Sequence, residues 1–163
     1  MADFCSDQAA GLRRLLGGSQ LQVVTFVAGC EGVGRSVAVA NLGVALARLG
    51  KEVLIIDEHA SRDDIASSFG MVARYDLLNV VLREISLAQV LLQPMNGLRI
   101  LPSANAARKL GRLSLAQQQV LLDAMSSLER PIDVILVDAS MAHPNGFSPF
   151  GLASQEAVVV LSG

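Results

Sequence analysis

Residues 23–36 read VVTFVAGCEGVGRS and decide the fold of this chain. The apolar, β-rich run from Val23 to Val27 leads into a glycine-rich loop, and a helical pattern follows from Val37 to Leu49. Residues Gly29 to Ser36 differ in one place from the phosphate-binding pattern G-x-x-x-x-G-K-[ST], because Arg35 stands at the lysine position. The stretch therefore predicts a strand, a phosphate-binding loop and a helix.

In such a loop, backbone amides and the helix dipole surround the phosphates, and the Ser/Thr hydroxyl binds magnesium. Arg35 keeps the positive charge, but its planar fork is bulkier than lysine, and the Glu31 carboxylate would repel polyphosphate unless it turned outward. A glycine-rich turn that binds no nucleotide is the alternative. The residues expected to bind nucleotide (ATP or ADP) are Gly29, Gly32, Val33, Gly34, Arg35, Ser36 and Val37.

The bulk composition fits one α/β unit. The chain has 163 residues, is 52% hydrophobic and carries a net charge of −2, so it lacks the basic surface expected of a protein that binds nucleic acid directly. Two cysteines, Cys5 and Cys30, form neither a disulfide framework nor a zinc motif. With no apolar stretch near 18 residues and no signal-peptide pattern, we expect a cytoplasmic protein without a membrane span.

Further apolar runs alternate with helical patterns along the chain. Alternation of this kind, with strands apolar on both faces, predicts a mostly parallel sheet flanked by helices on both faces. The predicted strands are Val53–Ile56, Leu98–Leu101, Val134–Val137 and Ala157–Leu161, and the predicted helices are a short one ending at Gly70, two stretches within Leu77–Leu92 separated near Glu84, and Leu115–Leu128.

Two aspartates directly follow buried strands. Asp57 and Asp138 would emerge with the glycine loop at the carboxyl edge of the sheet, where open parallel sheets bind ligands. An aspartate at such a position can also be an ordinary turn or cap residue. Because two of them converge with a phosphate loop, we predict a Mg²⁺ site formed by Ser36, Asp57 and Asp138.

The N-terminal 19 residues read as a separate unit. Asp7 to Leu16 has apolar residues at helical spacing, and Gly17 to Ser19 reads as a linker to the domain formed by residues 20–163. The pattern alone leaves two interpretations open, a helix folded back on the core and a tethered helix that binds a partner.

The run from Val23 to Asp57 resembles the MinD/ParA class of P-loop ATPases, in which the loop is followed by the tripeptide present here as Asn41-Leu42-Gly43. Within that class the chain is most similar to the flagellar-number regulators called FlhG or FleN, through Asp7–Leu15, Leu98–Gln118 and DVILVDAS followed by ASQEAVVV. The resemblance implies regulation of flagellar number or placement, with an FlhF-like GTPase and a FleQ-like transcriptional activator as partners. The implied GTPase-docking residues are Asp7, Gln8, Ala9, Leu12 and Arg13.

The chain also departs from the class. Cys30 replaces a second lysine that reaches across a nucleotide-sandwich dimer, and His59 replaces an aspartate implied in positioning the attacking water. Ala142 lies where the class has a flexible glycine. Together with Arg35, these substitutions imply weak or lost ATP hydrolysis, with no catalytic residue assigned and a homodimer left possible.

Family members continue into strands that hold the adenine and an amphipathic membrane helix. We therefore expect the P-loop domain to be incomplete at its C-terminal end. Two other functions stay open: an active MinD/ParA-class ATPase, in which Arg35 and His59 do the work of lysine and aspartate, and a ParA-like DNA-partitioning factor, which the acidic charge disfavours.

Overall fold

The computed structural model describes residues 21–30, 32–59, 64–110, 113–140 and 156–161. The helix and partner-binding residues predicted within Asp7–Leu16 lie outside these ranges, as do Glu31 and Ala142. The strands are β1 (Gln22–Ala28), β2 (Val53–Asp57), β3 (Leu92–Met95), β4 (Leu98–Pro102), β5 (Val134–Asp138) and β6 (Glu156–Val160). The helices are α1 (Arg35–Arg48), α2 (Ile65–Ser68), α3 (Leu77–Val81), α4 (Leu87–Val90), α5 (Ala104–Lys109) and α6 (Leu115–Ser126).

The six strands form one sheet in the order β3-β4-β2-β5-β1-β6. Every neighbouring pair is parallel except β3 and β4, which are antiparallel. The register aligns Asp57 with Asp138 and Phe26 with Asp138, so the ends of the three central strands lie side by side. The predicted mostly parallel α/β sheet is confirmed.

Helices cover the sheet on both faces. All five residues of β2 and of β5 are buried, which is why these segments read as continuous apolar runs. One core cluster lies beneath α1 and α2, and the other lies beneath α3 to α6. The α6 helix begins with a capping box in which Ser114 and Gln117 exchange side-chain and backbone hydrogen bonds, so its start is specified by the sequence.

Gly43 brings α1 close to the sheet. A Cβ at this position would lie 2.9 Å from Ile55 Cδ1 and 3.2 Å from Leu98 Cδ1, and both of those side chains are fully buried. A Cβ at this contact would therefore force the buried side chains to shift. The last residue of the Asn41-Leu42-Gly43 tripeptide therefore sets how closely the helix behind the loop packs.

Two elements differ from the sequence prediction. The helical stretches expected within Leu77–Leu92 are α3 and α4, but Leu92 itself begins β3, which pairs with β4 through a turn at Gly97 (φ 79°). Proline is tolerated in such an edge strand, and Pro94 lies in this one. The short helix α5 was not predicted either.

β6 lies at the open edge of the described sheet. Its sequence is as apolar as that of a central strand, yet Val158 is 39% exposed and Val159 59% exposed. Among the described residues, no helix combines the length and the low polarity needed to cross a bilayer.

Candidate functional site

The loop between β1 and α1 needs glycine at two positions. Gly32 and Gly34 have φ angles of 78° and 82°, in the left-handed region that residues with a Cβ rarely adopt. Gly34 is also the residue that precedes α1, and as a glycine it supplies no side-chain cap to the amides of the first helical turn. With no acidic residue in that turn, the loop presents the positive end of a helix of 14 residues.

The first two side chains of α1 meet the aspartate at the end of β5. Arg35 Nε donates to Asp138 Oδ1, and Ser36 Oγ donates to Asp138 Oδ2 over 2.6 Å. The side chain of Asp138 is fully buried, whereas that of Arg35 is 10% exposed. Both carboxylate oxygens are therefore engaged, and the arginine charge is neutralised by a buried partner within the protein.

His59 lies on the other side of the arginine. Its Nδ1 lies 3.4 Å from Arg35 Nη2, so the histidine ring and the guanidinium are in contact. The preceding residue, Glu58, is buried; its amide donates to the Asp138 carbonyl and its carboxylate accepts from the Ser140 amide. Sequence reasoning assigned Glu58 no role, since its burial depends on the packed strand ends.

Asp57 is bound within its own loop. Its two carboxylate oxygens accept hydrogen bonds from the amides of His59, at 3.0 Å, and Ile65, at 2.9 Å. Burial raises the pKa of this carboxyl from 3.8 to about 7, with the charge of Asp138 contributing and the two amides opposing. Asp57 thus lies beside Asp138 in the sheet, and its carboxylate is bound by backbone amides. The Asp138 carboxylate, in contrast, is bound by the side chain of Ser36.

A cleft of about 230 Å³ opens beside the end of β2. Asp57, His59, Tyr75 and Asn105 are among its lining residues, so the cleft adjoins the site at the end of β2. One wall is fixed by Asp76, whose carboxylate accepts from backbone amides of both α3 and α5. Asp76 therefore links the starts of the two helices that border the cleft.

The structure thus brings Arg35, Ser36, His59 and Asp138 together. Of the other residues expected to bind nucleotide, Val33 is half-buried and Val37 is 60% exposed, and their contact with a nucleotide stays a prediction. In the part of the chain that the structure describes, no three His, Cys, Asp or Glu side chains cluster in a way that could hold a metal ion. Cys30, in the place of the second lysine, is a free, exposed thiol.

Comparison with known proteins agrees with this architecture. The family profile described as AAA domain matches residues 21–161. The antiactivator FleN of Pseudomonas aeruginosa is 30% identical over 141 residues, covering 86% of this chain and 50% of FleN. The chain spans about half the length of the curated relatives it matches.

Solved structures of the MinD type share the fold. MinD of Pyrococcus horikoshii, complexed with Mg-ADP, superposes with a TM-score of 0.61 at 21% identity, over 86% of this chain and 57% of that one. The MinC:MinD complex of Aquifex aeolicus gives a TM-score of 0.63 at 24% identity, over 85% and 55%. This chain therefore belongs to the AAA-domain family matched over residues 21–161, is similar to FleN and shares the fold of MinD.

Proposed function

We propose that this protein is a FleN-like regulator of flagellar number or placement, which binds ATP or ADP at its loop and acts through partner proteins in the cytoplasm with little or no ATP hydrolysis. The observation that carries the proposal is the engagement of Arg35 by the buried Asp138 carboxylate. A cation held in this way is not free to follow the charge that develops on a transferred phosphoryl group.

Phosphoryl transfer depends on positioning and charge stabilisation, and the loss of one charged group costs a factor of about 10³ or more. His59 adds a second deficit, because it stands where the class has an aspartate implied in positioning the attacking water, and its Nδ1 lies 3.4 Å from the Arg35 guanidinium. These two arrangements support nucleotide binding without efficient turnover.

The partners follow from the resemblance. FleN is named an antiactivator, and MinD of Aquifex aeolicus forms a complex with MinC, so relatives of this chain work with other proteins. We assign an FlhF-like GTPase to the N-terminal segment Asp7 to Arg13 and a FleQ-like activator to the P-loop domain. Deleting residues 7–16 should abolish binding to the GTPase; unchanged affinity would remove this part of the proposal.

A phosphate-release assay with ATP and magnesium tests the catalytic part. The wild-type chain should release phosphate at the rate of the Asp138→Ala variant, whereas Arg35→Lys combined with His59→Asp should hydrolyse ATP measurably faster. Matching circular dichroism spectra control for folding. Wild-type turnover that disappears in Asp138→Ala would instead establish an active ATPase.

That active ATPase is the second candidate, and one observation favours it. Arg35, Ser36, His59 and Asp138 form one connected set of hydrogen bonds, as a working site requires. The same phosphate-release assay separates it from the proposed regulator.

A further inference from the structure

Magnesium accompanies the nucleotide in the structure of Pyrococcus horikoshii MinD with Mg-ADP. Magnesium requires nearly octahedral oxygen coordination, commonly from a P-loop serine hydroxyl, a carboxylate, phosphates and waters. Ser36 retains oxygen lone pairs while it donates its proton to Asp138, so the serine alone does not prevent binding.

The obstacle is Arg35. Its guanidinium occupies the other oxygen of Asp138, and that carboxylate is fully buried, which leaves no solvent-facing oxygen for a second cation. A divalent ion placed beside Asp138 would be repelled by the guanidinium, and both Asp138 carboxylate oxygens already accept hydrogen bonds. While Arg35 holds Asp138, these residues do not fit a magnesium ion.

We infer that the Arg35 guanidinium takes the place of the divalent cation, so that the loop binds the diphosphate group of a nucleotide without magnesium. A bound cation normally bridges the aspartate and the phosphates. Guanidinium carries five N–H donors in a planar fork. One of these is used on Asp138 and another lies near His59, and we assign the remaining donors to phosphate oxygens.

Lysine at the same position would not produce this arrangement. Its ammonium is a compact charge on a flexible stem, which reaches the phosphates and leaves the aspartate to the metal. The inference rests on the proposed nucleotide binding and specifies the form of the ligand, a magnesium-free nucleoside diphosphate or triphosphate.

Calorimetric titration of ADP into the full chain, in buffer with millimolar MgCl₂ or with excess EDTA, tests this assignment. The wild-type chain should bind ADP no more tightly with magnesium than with EDTA, because magnesium complexes free ADP, whereas Arg35→Lys should bind at least about tenfold more tightly with magnesium. Tenfold tighter wild-type binding with magnesium would overturn the inference while leaving the proposed function intact. Equal affinities in both buffers for Arg35→Lys would overturn the role of Arg35.

A second measurement needs no variant. Mn²⁺ serves as a paramagnetic substitute for magnesium, and its free concentration is read by electron paramagnetic resonance in the presence of ADP. The wild-type chain should not lower the signal of free Mn²⁺ in an ADP solution, and a stoichiometric loss of that signal would overturn the inference. If ADP binds in neither calorimetric buffer, nucleotide binding itself fails, and both the inference and that part of the proposed function are wrong.

Discussion

Asp57 gives this protein a pH dependence opposite in sign to that of a carboxylate that is ionised in a salt bridge. Its side chain is 4% exposed, and burial raises its pKa from 3.8 to about 7. The unfolded chain releases this proton near the ordinary pKa, so between about pH 4 and pH 7 the folded state binds more protons than the unfolded state. The contribution of Asp57 to stability is therefore greatest below this window and is lost as the pH rises through it.

The expected magnitude follows from the size of the rise. A tenfold change in proton affinity corresponds to about 1.4 kcal/mol, so the rise from 3.8 to about 7 corresponds to about 4 kcal/mol across the window. The slope should approach about 1.4 kcal/mol per pH unit in the middle of it.

Urea unfolding of the wild-type chain and of Asp57→Asn, from pH 4 to pH 8, measures this contribution. The asparagine cannot titrate, and its amide nitrogen cannot accept from a backbone N–H, so the variant carries a loss of stability that is independent of pH. The difference in unfolding free energy, wild type minus variant, should fall by about 4 kcal/mol as the pH rises. A difference that stays constant would refute the reasoning.

Two further predictions concern packing and capping. Gly43→Ala should lower the free energy of unfolding in urea by about 1–3 kcal/mol, because the new methyl group meets Ile55. The loss should be smaller in the Ile55→Val background. An equal loss in both backgrounds would contradict the proposed clash. Asp76→Ala should cost about 3 kcal/mol, because it leaves backbone amides of two helices without their acceptor. The control Ser114→Ala, at an exposed helix cap, should cost about 1 kcal/mol, and equal losses would refute the argument.

The central strands were predictable because their patterns are local. Val53–Ile56 and Val134–Val137 are continuous apolar runs ending at an aspartate, and both are fully buried strands of the sheet. β3 was not predictable in the same way, since Leu92–Met95 contains a proline and continues a helical segment. It is a strand because β4 offers an edge to pair with, which is a property of the fold and not of its own sequence.

In the candidate site, too, some contacts could be predicted from local sequence and others could not. The convergence of Ser36 with Asp138 follows from a phosphate loop and a strand end at one edge of a parallel sheet. The pairing of Arg35 with Asp138 could not be predicted from the sequence, because the residue type does not determine the direction in which the guanidinium points. Asp57 was expected beside a metal, yet its oxygens are held by the amides of its own loop, which only the path of the backbone reveals.

The strand order has a consequence for how the chain acquires its shape. Arg35 and Asp138 are 103 residues apart in sequence, and β1 has neighbours only in β5 and β6 within the described sheet. During synthesis, β1 leaves the ribosome well before its neighbours β5 and β6 have been made, so its apolar faces are at first not covered by these strands. The β2–β4 pair can form earlier, so insertion of β1 is the late step that also assembles the loop against its aspartate. The Arg35–Asp138 contact can form only after β5 has been made, so it belongs to the later part of folding.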